Sequence, residues 1–97
     1  MKYIEHMKVT VCVKALYEAN IITENVYIDT ENDETGNIGY WDLYTHNDGL
    51  VCMDGETCEI VSVNKDSIKL KNTEGEKEAE FVLTFAEADI CCSACPE

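Results

Sequence analysis

Arginine is absent from this chain, and no lysine falls between Lys14 and Lys65. Without a guanidinium the protein lacks the planar fork that grips phosphate or carboxylate through two parallel hydrogen bonds, so an anionic substrate would be handled poorly. The stretch without cations holds eleven acids and carries −11 of the formal net charge of −13. The remainder nearly balances, with seven Lys against nine acids. A field of one sign repels nucleic acid and anionic membrane and attracts basic surfaces. Direct binding to DNA, RNA or membrane is therefore not expected, although acidity of this kind also serves solubility alone.

Other absences narrow the classes further. No apolar run approaches the ~20 residues that a membrane-spanning helix needs. The opening residues, Met1 to Lys8, are interrupted by charge too often for a signal peptide. The closing Ala94-Cys95-Pro96-Glu97 does not fit a prenylation box, because the Cys is one place too late. A cytoplasmic location is the expectation that follows. In that compartment the six Cys read as thiols or metal ligands before disulfides. There is no Gly-rich phosphate loop, and Ser62, Ser67 and Ser93 stand in no nucleophile-elbow context. His6 and His46 are far apart in sequence; His46 beside Asp48 could serve Cys52 as a base, but nothing fixes that geometry. The chain is not expected to be an enzyme.

What is present describes a folding domain. A chain of 97 residues that is 45% hydrophobic is globular in composition, and one this long buries roughly 60–65% of its unfolded surface. One domain over residues 1–97 is expected, with 91–97 as a candidate disordered tail. Residues 2–20 carry two signals. Ile4, Met7, Val11, Ala15 and Tyr17 approximate a helical stripe ending at Asn20, whereas Val9 to Val13 is a β-rich run. The good helix formers Lys14 to Ala19 favour an N-terminal helix.

From Asn25 onward the chain reads as β. Val26–Thr30 and Gly39–Thr45 alternate about a polar loop. Turn signals at Asn47-Asp48-Gly49, Asp54-Gly55, Asn64-Lys65-Asp66 and Glu74-Gly75 then separate strands at 50–53, 57–63, 67–72 and 80–83. Thr84-Phe85-Ala86-Glu87 is a capping box that opens a short helix through about Cys92. The expected class is α+β: an N-terminal helix, an antiparallel meander or small SH3-like barrel of five or six strands, and a short C-terminal helix.

Three features could carry function. If 26–30 and 39–45 form a hairpin, alternation puts Val26, Ile28, Trp41 and Leu43 on one face and Tyr27, Asp29, Tyr40, Asp42 and Tyr44 on the other. Tyrosine offers stiff contact area and a ring for cations, and the acids attract Lys or Arg across an interface; the same tyrosines could instead pack under the first helix. Glu31, Asp33, Thr35, Gly36 and Asp42 partly match a calcium loop. Glu at its first position, Asp at its last, and strand-like flanks favour an ordinary acidic hairpin loop. Finally, Cys52 and Cys58 flank the Asp54-Gly55 turn, which should oppose them across a hairpin. With Cys92 and Cys95 of a C-x-x-C they would make a tetrahedral zinc set, although C-x₅-C is looser than usual zinc spacing. The bland alternative is small buried thiols.

In size and charge the chain resembles the small anti-restriction and anti-CRISPR proteins of bacteriophages, a likeness of composition that rests on no motif. It implies an inhibitor that occupies a basic, nucleic-acid-binding surface of another protein, without a cofactor. The candidate partner-binding residues are Tyr27, Asp29, Glu31, Asp33, Glu34, Tyr40, Asp42 and Tyr44. The competing expectation is a zinc-stabilised adaptor domain using Cys52, Cys58, Cys92 and Cys95.

Overall fold

The computed structural model describes residues 3–20, 24–75 and 78–94. The elements follow in the order β1 (Lys8–Val11), α1 (Val13–Glu18), β2 (Val26–Asn32), β3 (Ile38–Thr45), β4 (Gly49–Met53), β5 (Glu56–Val63), β6 (Ser67–Asn72), β7 (Glu80–Thr84), α2 (Phe85–Cys91) and β8 (Cys92–Ala94). The strands form two antiparallel sheets, one of five strands in the order β7-β6-β5-β1-β8 and one of three in the order β2-β3-β4. The class is α+β, mostly sheet, with two short helices.

Period-two patterning drives most of this. In β6, Ile68, Leu70 and Asn72 are buried while Ser67, Lys69 and Lys71 are half-exposed. In β7, Phe81 and Leu83 are buried between half-exposed or exposed neighbours. These side chains meet Val9, Val11, Ile60, Leu43, Val51, Cys52 and Cys58, with Leu16 of α1 and Ala88 of α2, in one core cluster. Full burial of each Leu or Ile contributes about 1.5–3 kcal/mol.

The N-terminal helix expected over 2–20 is replaced by β1 and the short α1. Val9 and Val11 are fully buried and alternate with Lys8 and Thr10 on the other face, so the β-branched alternation prevails over the helical stripe. Ile4, the first residue of that stripe, is 57% exposed. The helix end at Asn20 is where the sequence placed it, with Asn20 in the left-handed region at φ 55°.

The SH3-like barrel does not form; both sheets stay open. The reason lies at Asp54-Gly55, which turns a corner instead of closing a hairpin. The Asp54 amide still donates to Trp41 O of β3 at 3.0 Å, whereas the next amide, Gly55, donates to Val11 O of β1 at 2.8 Å. Gly55 sits at φ +84°, where a side chain would be strained. The chain thus leaves one sheet for the other within a single residue. β4 pairs with β3, and β5 with β1 and β6.

At the other end the capping box forms as its residues dictate. Glu87 N–H donates to Thr84 Oγ1 at 3.2 Å, and Thr84 N–H donates to Glu87 Oε1 at 2.7 Å. Residues 92–94, within the stretch read as a candidate tail, pair with β1. Residues 95–97 lie outside the described residues. Among the described residues no helix is long and apolar enough to cross a membrane.

Candidate functional site

The β2–β3 hairpin presents the expected tyrosine–aspartate face. The register sets Tyr27 opposite Tyr44, Asp29 opposite Asp42 and Glu31 opposite Tyr40. All six therefore project from one side of the three-stranded sheet, while Val26, Ile28, Trp41 and Leu43 point toward the core. The tyrosines do not pack under a helix. Helix α1 meets β3 on the opposite side, where Lys14 Nζ lies 5.1 Å from the Trp41 ring centroid. Tyr27 and Tyr40 remain 43% and 52% exposed. The Tyr27 and Tyr44 rings stack at 5.4 Å between centroids, 18° from parallel, and His46 leans on Tyr27 at 5.0 Å.

Asp33 and Glu34 fall outside this face, in the hairpin loop. Asp33 Oδ1 accepts from Thr35 N at 2.9 Å, Thr35 Oγ1 at 2.6 Å and Asn37 N at 3.1 Å. The Thr35 hydroxyl and the loop amides hold the Asp33 carboxyl below its ordinary range. Its carboxylate organises its own loop, with Gly36 at φ +88°, and the flanks are strands. This is the ordinary acidic hairpin loop, not a calcium-binding helix–loop–helix.

The sequence reading missed that β4 extends the same face. Leu50 lies opposite Tyr44 and Met53 opposite Asp42, each exposed by about two-fifths (41% and 42%). The signal was hidden by a bulge: Val51 and Cys52 are both buried, so β4 alone does not alternate. Beside Leu50 and Met53 opens a cleft of about 460 Å³ reaching Glu56 and Asn72. Both polar groups are already engaged. Glu56 Oε1 accepts from Met53 N at 2.6 Å and Asn72 Nδ2 at 3.1 Å, and Asn72 Nδ2 also donates to Val51 O at 2.9 Å.

The two sheets treat charge in opposite ways. Across the outer face of the larger sheet, register lines up Lys8, Glu59, Lys71 and Glu80 as an alternating row, and Lys69 Nζ adds an ion pair to Glu80 at 3.2 Å. Across the smaller sheet Asp29 faces Asp42 with Glu31 alongside. Among the described residues none of these three acids has an ion-pair partner. Partial burial, then the charges of Asp29, Glu31 and Glu56, push the Asp42 carboxyl above its ordinary range. Desolvation and the nearby Asp42 and Asp29 carboxylates likewise raise the Tyr44 phenol.

The thiols form two pairs. Cys52 and Cys58 do not oppose each other across a hairpin; they meet from different sheets, with Sγ atoms 3.9 Å apart and fully buried. Cys92 instead lies beside Cys91, 3.8 Å between Sγ atoms. Cys95, the fourth member of the candidate zinc set, lies outside the described residues. Among the described residues no three His, Cys, Asp or Glu are grouped as metal ligands. Hydrogen bonding to Cys58 and burial raise the Cys52 thiol, and His46 is on the exposed face against Tyr27, so the two form no nucleophile–base pair.

No family model, curated protein or solved structure matches this chain. The site therefore stands on its own chemistry: stacked tyrosines, two apolar side chains and three unneutralised carboxylates. Such a face can bury aromatic area against a partner and receive cations.

Proposed function

We propose that this protein is an acidic protein-binding module that occupies a basic, nucleic-acid-binding surface of another protein, through the outer face of β2, β3 and β4. The observation that carries the reading is the contrast between the sheets: lysines alternate with acids across the larger one, whereas Asp29 faces Asp42 on the smaller one without a cation among the described residues. Like charges set directly opposite each other cost stability, so a cationic partner gains by relieving them. Duplex DNA presents about four negative charges over ~7 Å of its axis. Cross-strand, next-but-one and diagonal spacings place Asp29, Glu31 and Asp42 within roughly 5–8 Å of one another. A lysine groove built for phosphates would find a comparable density here, flanked by tyrosine contact area. Small phage or mobile-element anti-defence inhibitors that act by competitive occupation provide the functional class.

The test is capture from source-cell lysate at low salt, elution with duplex DNA, and identification of what elutes. A nucleic-acid-handling protein displaced by DNA, and lost from an Asp29→Lys/Asp42→Lys variant, supports the proposal. Glu5→Lys/Asp66→Lys makes the same change in net charge elsewhere and should retain it. Capture that survives the first pair of substitutions, or no basic protein at all, overturns the assignment.

A further inference from the structure

The three-stranded sheet has two edges, and they are finished differently. At β4 the edge is closed by side chains of the other sheet: Asn72 Nδ2 donates to Val51 O at 2.9 Å, and Glu56 Oε1 accepts from Met53 N at 2.6 Å. At β2, seven residues long, no strand among the described residues pairs on the side away from β3. An open edge is a template for another chain, and proteins blunt such edges with charge. Here the charges on β2 are Asp29 and Glu31, both exposed. They repel a second copy of the same edge, because pairing would bring carboxylates together. A strand carrying Lys or Arg at alternate positions meets the opposite condition.

We infer that the edge of β2 along Tyr27–Glu31, unpaired by any strand among the described residues, accepts an extended basic segment of the partner protein as a fourth strand. This rests on the binding face proposed above and specifies how the partner engages it. Main-chain hydrogen bonds to β2 supply affinity, and side-chain alternation supplies selectivity. Alternate residues of the incoming strand lie on the face of Tyr27, Asp29 and Glu31, where cations are favoured. The residues between them continue the side of Ile28 and Thr30, where apolar side chains are favoured. The bulge between Glu31 and Asn32 limits the template to about five residues.

The experiment uses the whole chain, ¹⁵N-labelled, and two synthetic peptides. One is acetyl-Lys-Val-Lys-Val-Lys-Val-Lys-amide. The other has the same sequence and charge, with methyl groups on the valine amide nitrogens. Strand addition predicts that the first peptide shifts the amides of 27–31 and protects the alternate ones that point away from β3. It also predicts at least about fivefold weaker binding of the methylated peptide, from two or three lost hydrogen bonds at about 0.5–1.5 kcal/mol each. Equal affinity for both peptides overturns strand addition but leaves the acidic face intact as a cation-binding surface. Binding without change at 27–31 overturns it too. Failure of both peptides to bind at low salt overturns strand addition and the cation-binding face together.

Discussion

Replacing Asp29 by Asn should stabilise the isolated protein while weakening its binding to a basic partner. Asp29 and Asp42 are directly opposed on β2 and β3, and among the described residues neither has an ion-pair partner. A like-charged cross-strand pair costs about 0.2–1 kcal/mol. Because Asp29 is exposed and Asp42 half-buried, solvent screening favours the middle of that range, about 0.5 kcal/mol. For a chain of this size that is a rise in Tm of about 2–4 °C at neutral pH and low salt. The pH dependence follows from the raised Asp42 carboxyl. A group whose folded pKa lies above its unfolded value contributes stability at low pH and loses it as pH rises through the folded value. The Asp29→Asn substitution lowers the folded value of Asp42 and flattens that loss. The gain should therefore be absent below the carboxylate range and complete by pH 7. It should shrink in 1 M salt, where the screening length falls to about 3 Å. Thermal melts of both proteins across pH and salt, with an NMR titration of the Asp42 carboxyl, provide the measurement. A variant less stable at pH 7, or a gain that persists at acid pH or in high salt, would refute the charge argument.

Two further predictions concern the scaffold beneath this face. Thr84→Ala removes the hydroxyl that accepts from Glu87 N–H and should cost about 1 kcal/mol in urea denaturation, whereas Thr84→Ser should retain most of it; equal losses would mean the cap is not the cause. Asn72→Ala removes a buried amide whose Nδ2 serves Val51 O and Glu56 Oε1 and whose Oδ1 accepts from the Glu74 and Gly75 amides. Leaving those groups without protein partners should cost about 1–3 kcal/mol. Amide exchange should quicken in β4 and in the loop after β6; unchanged exchange in β4 would show that Asn72 does not tie the sheets together.

Much of the secondary structure was legible because its causes are local. Alternation in 26–30 and 39–45, the turn residues at Asn47-Asp48-Gly49 and Asn64-Lys65-Asp66, and the capping box at Thr84 each act within a few residues, and each appears within a residue or two of its expected place. What failed was partnership between segments distant in the chain. Asp54-Gly55 carries the residues of a tight hairpin, and nothing local tells a hairpin from a corner. The difference is made by Val11 O, over forty positions away, which takes the Gly55 amide. The same corner decides the Cys52–Cys58 geometry. The residues bring the thiols close, as expected, but across the space between two sheets instead of along one.

The candidate face was legible for the same local reason, and its significance was not. Strand alternation alone puts Tyr27, Asp29, Tyr40, Asp42 and Tyr44 on one side, whatever the rest of the chain does. The sequence also shows that cations avoid residues 15–64. It does not show that Glu59, inside that interval, is set between Lys8 and Lys71 from outside it, because those pairings arise from β1–β5 and β5–β6 register. Folding therefore sorts the eleven acids of the interval into unlike groups. Glu59 joins a balanced row, Asp33 turns a loop and Glu56 holds Met53 N–H. Among the described residues, Asp29, Glu31 and Asp42 are left without an ion-pair partner, flanked by tyrosine. A solubility role would be served by acids spread singly over the surface. Setting two of them opposite each other costs folding free energy at neutral pH and low salt, and a cation docked against them offsets that cost.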